Sequence, residues 1–297
     1  MTGGALAARR PGWELPPVHE GLQTDPIDVL WENRERKQCP KCNRRRSLLC
    51  YDCQEPLTEP GTVPFVHLPF KVSIITHHEE HLGNNTGIQL AILAKGQVQL
   101  HRMDEFPSNL PPANRCAVLF PSDDALDVED LEPDSIDHLF IIDSKWQKAR
   151  ELNRSPLFRD MRRIRLNQTR SCFWRFHTKG VTDDGVSTAE ALYFLCKSLS
   201  DKNKLQSNES FQKPRAFDNL LWYFVFQHDV VANAVERRKN AGSNILHSTE
   251  GKRAKKLRAA NAAIAAAEIE KDNKEEGKEG EGEEREAKKV CEREDRY

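Results

Sequence analysis

The sequence reads as an α/β domain built on a parallel sheet. The run His138-Leu-Phe-Ile-Ile142 has the length and unbroken apolar character of a strand buried on both faces. A second run, Cys116-Ala-Val-Leu-Phe120, shares that character and ends in the turn residues Pro121-Ser122-Asp123-Asp124. Helical stretches, Ile88–Lys95 and Ser144–Arg154, accompany these runs. Strands alternating with helices point to crossover connections whose loops gather at one edge of a parallel sheet.

Totals set the frame. The chain has 297 residues, enough for one large α/β domain or two small ones. Charged residues make up 31%, and mean hydropathy is -0.71, which suits a soluble protein with some disorder. The net charge of -1 averages over local basic clusters and a mixed-charge tail. No apolar run reaches the length of a bilayer span. Residues 1–17 contain two arginines and no apolar core, so a secretory signal is not expected. The eight cysteines are therefore read as reduced.

In chain order, residues 1–35 carry Gly, Pro and scattered acids without clear periodicity. They read as a flexible leader with a short helix at Pro26–Asn33. The next segment, 37–55, holds Cys39, Cys42, Cys50 and Cys53 in the pattern C-x2-C-x7-C-x2-C. Two knuckles joined by a short hairpin can set four thiolates around Zn²⁺, and four protein ligands leave no open position, so the zinc would be structural. Lys41, Arg44, Arg45 and Arg46 fall on that hairpin, either as a solvated face or as a phosphate grip.

Val63–Leu68 and Phe70–Thr76 are β-branched and apolar and are expected to be strands. His77-His78-Glu79-Glu80-His81 lacks the spacing of a helical zinc motif. Asn84-Asn85-Thr86-Gly87 supplies capping residues for the helix that follows. Residues up to Asp137 are acidic and loop-like. The strand at 138–142 then stops at Asp143, a carboxylate that serves either as a helix N-cap or as chemistry at a strand's carboxyl end.

Arg159, Arg162, Arg163 and Arg165 precede Arg170, Phe173, Trp174 and Arg175. Cations interleaved with aromatics suit RNA, and an amphipathic helix and strand with solvated arginines suits the pattern equally. Ser187 and Glu190 form a capping box that opens a helix through Leu199. Pro214–Arg238 reads as a long helix, largely buried around Leu220–Phe226. Lys252–Arg258 is a basic block, read as a nuclear localisation signal with some cytoplasmic protein, as an RNA contact or as a solvated helix start. Residues 251–297 form a charged low-complexity tail without an assigned fold.

The ordered set resembles one family, the DTW-domain tRNA-uridine aminocarboxypropyltransferases, relatives of the SPOUT-type knotted methyltransferases. Its parts are the four cysteines, His77–Glu80 with Thr86-Gly87, Leu119-Phe-Pro-Ser122, and Ile142-Asp143-Ser144-Lys145-Trp146 with Ala149. The Arg170–Arg175 segment and Ser187-Thr188-Ala189-Glu190-Ala191 complete it. Cys172-Phe-Trp-Arg175 is similar to the eukaryotic branch that modifies a D-loop uridine. One position departs from the family: Lys145 stands where the name-giving threonine stands, and a lysine only donates hydrogen bonds where a hydroxyl also accepts.

The resemblance implies a knotted, SPOUT-like sheet within a DTW domain at 36–240, its α/β part at 63–240. It further implies transfer of the 3-amino-3-carboxypropyl group from S-adenosylmethionine to N3 of a D-loop uridine in tRNA, at position 20, with release of 5′-methylthioadenosine. Asp143 would be the base. Leu119, Pro121, Ser122, Ile142, Ser187, Thr188 and Glu190 would hold the donor. Arg44, Arg45, Arg170, Phe173, Trp174 and Arg175 would hold tRNA. Two other readings stay open at this point, a zinc-containing RNA-binding protein without catalysis and a SPOUT-type RNA methyltransferase.

Overall fold

The computed structural model describes residues 19, 21–144, 146–167, 169, 171 and 185–240. Its elements, in chain order, are α1 (Asp28–Glu32), β1 (Arg36–Gln38), β2 (Arg45–Ser47), β3 (Leu49–Cys50), β4 (Glu55–Pro56) and β5 (Lys71–Thr76). There follow α2 (Gly87–Leu93), β6 (Val98–Arg102), β7 (Cys116–Leu119), β8 (Leu126–Asp127), β9 (His138–Asp143), α3 (Trp146–Asn153), β10 (Arg162–Arg165), α4 (Thr188–Asp201) and α5 (Trp222–Asn240). The chain parts after Glu236 into a second unit, of which the end of α5 is described.

Among the described residues, six strands form one sheet in the order β6-β5-β9-β7-β10-β8, and every pairing in it is parallel. The sheet is all-parallel because its central strands are apolar on both faces: Val72, Ile74 and Ile75 of β5 and Leu139, Phe140 and Ile141 of β9 are all buried. One side of the sheet packs into the main core with α2, α4 and the start of α5, through Leu90, Leu93, Leu192, Leu195, Trp222 and Phe224. Ile75, Val118 and Phe140 pack on the other side with Ala149, Phe158 and Met161. Gly87 lets α2 lie close on β5, since a Cβ there would stand 2.9 Å from Ile74 Cδ1.

The expected strands at 116–120 and 138–142 are β7 and β9, and the expected helices 88–95, 144–154 and 187–199 are α2, α3 and α4. Four expectations change. Val63–Leu68 is not a strand: Pro64 and Pro69 carry no N–H for a ladder. The segment's backbone instead bonds to the Gln97 side chain, at Leu68 N–H (3.0 Å) and Leu68 O (2.7 Å), and to Leu93 O. The long helix begins at Trp222, not Pro214, because Arg215 takes a left-handed φ of 67° and a 3₁₀ turn, Asp218–Leu221, intervenes. Within the acidic stretch before Asp137, Leu126–Asp127 pairs with β10 as an edge strand. Finally, the latter half of the leader is packed. Leu22, Ile27 and Leu30 are buried, Asp218 accepts from Gln23 N–H (2.7 Å), and the Trp222 indole donates to Pro26 O (3.2 Å).

Candidate active site and metal centre

Each cysteine knuckle is the turn of its own two-stranded ribbon. β1 and β2 flank Cys39–Cys42, and β3 and β4 flank Cys50–Cys53, so the hairpins surround the knuckles where the sequence suggested one between them. The residue after each knuckle, Asn43 (φ 58°) or Gln54 (φ 54°), takes the same left-handed turn, which folds the two loops alike. The four sulfurs lie within 4.8 Å of one another, and Cys42 Sγ and Cys50 Sγ are 3.6 Å apart. Zn–S bonds of about 2.3 Å put tetrahedral sulfurs about 3.8 Å apart, so this set fits the ion. Burial opposes ionisation of Cys39, but the Cys42 and Lys41 backbone N–H groups outweigh it and hold the thiol near about 7. The hydrogen bond with Cys42, with burial, pushes Cys53 up to about 12. Four thiols this close cannot all ionise unless a cation balances them.

At the carboxyl edge of the large sheet, the parallel register sets Thr76 opposite Asp143 and Leu119 opposite Ile141. Three loops therefore meet there: Phe120–Ser122 after β7, Asp143–Ser144 after β9, and His77–Glu80 after β5. Asp143 and Ile142 are half-buried, as are Leu119 and Ser122, while Pro121 is exposed. The Ser144 hydroxyl donates to Glu80 Oε1 at 3.4 Å, joining the β9 and β5 loops. Arg102, at the end of β6, donates to His77 O (3.2 Å) and Glu80 O (3.5 Å) and fixes the shape of the β5 loop. The sequence reading did not single out Arg102.

The start of α4 reaches the α2 end of this edge, where Thr86 Oγ1 accepts from Ala189 N–H at 3.2 Å. Ser187 and Glu190 complete the expected capping box. Glu190 is wholly buried and does more than cap. Its carboxylate accepts from Ser171 Oγ (2.8 Å) and lies 3.5 Å from His19 Nε2. Burial pushes its pKa upward, yet the hydrogen bonds from His19, Ser187 and Ser171 overcome that, and the net shift is downward. The His19 ring packs against the rings of Phe194 (centroids 5.0 Å apart) and Tyr193 (6.5 Å, near-parallel). Ser187, Thr188 and Glu190 are thus buried, and the Ala189 and Glu190 N–H groups already serve Thr86 and Ser187. These long-range contacts of Glu190, with residues 171 positions or fewer away, carry no signal in local sequence.

The arginines before the aromatic segment belong to the fold. Arg162 donates to Asn114 O and Ser135 O, Arg163 to Met161 O and Asn153 O, and Arg165 pairs with Asp127. Arg170, Cys172, Phe173, Trp174 and Arg175 lie outside the described residues, as do Lys145, residues 1–18 and the tail at 251–297.

The DTW domain family model matches residues 36–231. The chain belongs to the DTW domain family. Two relatives of the DTW protein are tRNA-uridine aminocarboxypropyltransferase 1 of Xenopus tropicalis, 24% identical over 74% of this chain and 87% of that one, and its Xenopus laevis counterpart, 25% identical over 74% and 88%. The Homo sapiens protein of that name is 24% identical over 67% of this chain and 78% of its own. Among solved structures, the SAM-dependent rRNA:acp-transferase Tsr3 from Vulcanisaeta distributa aligns with a TM-score of 0.32 and 16% identity, covering 60% of the DTW protein and 91% of that chain. Among the described residues, no helix of the DTW protein is long and apolar enough to cross a membrane.

Proposed function

We propose that this DTW protein transfers the 3-amino-3-carboxypropyl group of S-adenosylmethionine to N3 of a D-loop uridine in tRNA, releasing 5′-methylthioadenosine. Membership of the family carries the reading, together with relatives of that name matched over most of their length. The placement of Asp143 at the carboxyl end of a buried parallel strand supports it, since open α/β sheets bind ligands there.

The donor supplies a sulfonium-activated carbon. The protein's part is to orient and to accept a proton. N3 of uracil is protonated at neutral pH, and Asp143 takes that proton as N3 attacks. Leu119, Pro121, Ser122 and Ile142 belong to the adjoining strand ends and would hold the donor, together with Thr188 at the start of α4. N3 is on the pairing edge, so the uridine must leave any stack, and Phe173 or Trp174 would receive it between Arg170 and Arg175. Zn²⁺ would occupy the four-cysteine site as a structural ion. A SPOUT-like knot in the sheet, and nuclear entry through Lys252–Arg258, belong to the same proposal.

Unmodified tRNA incubated with S-adenosylmethionine labelled in the aminocarboxypropyl group tests the reading. Label in a tRNA uridine and stoichiometric 5′-methylthioadenosine are expected. Release of S-adenosylhomocysteine would make the protein a methyltransferase, and tRNA binding without either product would make it a binder only.

A further inference from the structure

The cations of the cysteine module divide into two sets. One set is committed within the fold: Lys37 to Asn33 Oδ1 (2.9 Å), Lys41 to Glu55 (2.5 Å), Arg44 to Asp52 (2.6 Å) and Arg46 to Asp52 (2.9 Å). Arg46 also covers the Tyr51 ring, 4.2 Å from its centroid. The other set is Arg34, Arg36 and Arg45, all exposed. Among the described residues no carboxylate pairs with any of these three.

Strand alternation explains the division. In the β1–β2 ribbon, Lys37 is opposite Arg46, both half-buried, and these face the module. Arg36, Gln38, Arg45 and Ser47 occupy the exposed positions, with Arg36 opposite Ser47 and Gln38 opposite Arg45. Ser47 Oγ donates to Arg34 O (2.9 Å), which carries the ribbon one step further. Arg34 itself stands 5.3 Å over the Trp31 ring, and Trp31 packs edge-on against Phe226, so this cation has a rigid base. Arg45 donates to Arg36 O (3.3 Å). Glu35, the acid nearest in sequence, lies outside the paired residues.

The module also adjoins the candidate site. The Tyr51 and His81 rings are 6.1 Å apart, and His81 follows directly on the His77–Glu80 loop, which Ser144 joins to the end of β9. The outer ribbon face thus carries three guanidinium groups that no carboxylate pairs among the described residues, with the Gln38 amide and the Ser47 hydroxyl beside them, on a module whose other ribbon reaches the candidate site. A guanidinium without a carboxylate is free to make paired hydrogen bonds to phosphate oxygens.

We propose that this outer ribbon face, Arg34, Arg36 and Arg45 with Gln38 and Ser47, grips the phosphodiester backbone of the tRNA substrate, and that Arg44 does not take part. The proposal rests on tRNA being the substrate. It deepens the sequence reading, which grouped Arg44 with Arg45, because the structure separates them by their partners. The contacts are to phosphate, so they add affinity and register without reading bases.

The test is equilibrium binding of unmodified tRNA to the full chain, without donor, across a salt series. R36E/R45E is expected to raise Kd at least tenfold at about 0.1 M salt. It should also make the log Kd against log salt slope shallower by about 1.5–2, one phosphate contact for each arginine. Arg44→Gln is expected to bind within twofold of the parent, and metal content and melting temperature should be unchanged in both variants. A parental Kd and salt slope for R36E/R45E would overturn the proposal, and so would a loss as large from Arg44→Gln. Poly-glutamate competing as well as tRNA at equal charge would overturn the assignment to nucleic acid. Because binding is read without turnover, transfer activity with intact R36E/R45E binding would defeat the surface alone. Lost binding without transfer in the parent would defeat the enzymatic reading alone.

Discussion

Asp143 is held by register more than by its own neighbours in sequence. It ends β9 opposite Thr76; Ser144 next to it bonds to Glu80, and Arg102 holds the backbone of the His77–Glu80 loop from the end of β6. Asp143→Asn keeps shape and removes the proton acceptor, so transfer should fall by about 10²–10⁴-fold while donor binding, read by calorimetry, stays within a few fold. Undiminished turnover would sink the assignment of the base. His138 sits at the other end of the same strand and makes a different prediction. Burial, with help from His101 and Lys71, lowers its pKa to about 4 from 6.5, and its Nε2 is 2.9 Å from Ser73 Oγ. The unfolded chain therefore binds this proton first, and stability should decline as pH falls from 6.5 to 4. His138 is only partly buried, so screening reduces the effect to about 1–2 kcal/mol. Denaturant titrations of His138→Asn should show a flatter profile across that window than the parent.

Among the elements, the two ribbons and α4 differ in how far sequence foretold them. The C-x2-C pairs announce themselves because a metal site needs its ligands at short fixed spacings, and the structure brings all four sulfurs together. Cys42→Ser should therefore lose bound zinc and loosen the module, with metal content by plasma emission as the readout. A full equivalent of zinc in that variant would refute the four-cysteine site. The capping box of α4 was equally plain, being four residues long. What local sequence could not carry is the second use of Glu190. Its partners Ser171 and His19 come from distant segments, and nothing in the spacing announces either. Arg162, Arg163 and Arg165 mislead for the same reason: a basic run reads alike whether its partners are phosphates or carbonyls and a carboxylate brought in by the fold. Ser171→Ala removes a hydrogen bond to a buried carboxylate at the entry to the Arg170–Arg175 segment. It should raise KM for tRNA about tenfold with kcat little changed, and Ser171→Thr should restore it. An unchanged KM would confine Glu190 to a structural role.

At the scale of the whole molecule, the family boundary and the folded boundary do not coincide. The DTW match begins at residue 36, yet Leu22, Ile27 and Leu30, which precede it, pack into the core shared with α4 and α5. Leu22, Ile27 and Leu30 are buried there, and Trp31 meets Phe226 edge-on at 4.9 Å. Asp218 takes Gln23 N–H and Asn219 takes Asp25 N–H, contacts that span 195 and 194 positions in the chain. The short helix expected at Pro26–Asn33 is α1, but so brief a segment shows no periodic apolar face, so only the assembled core reveals where it packs. A chain truncated to begin at Arg36 would uncover Trp222 and Phe226, which meet Pro26 and Trp31, and would strip Asp218 of a donor that offsets its burial. Burying three aliphatic side chains is worth roughly 5 kcal/mol as an upper estimate, comparable to the whole stability of many domains. The truncated chain should therefore be largely unfolded or aggregated at 25 °C by circular dichroism and sedimentation. A chain beginning at residue 19, which keeps His19 beside Glu190, should melt within a few degrees of the parent. If the chain from Arg36 melts cooperatively at the parental temperature, the leader is dispensable and its packing carries little of the fold's stability.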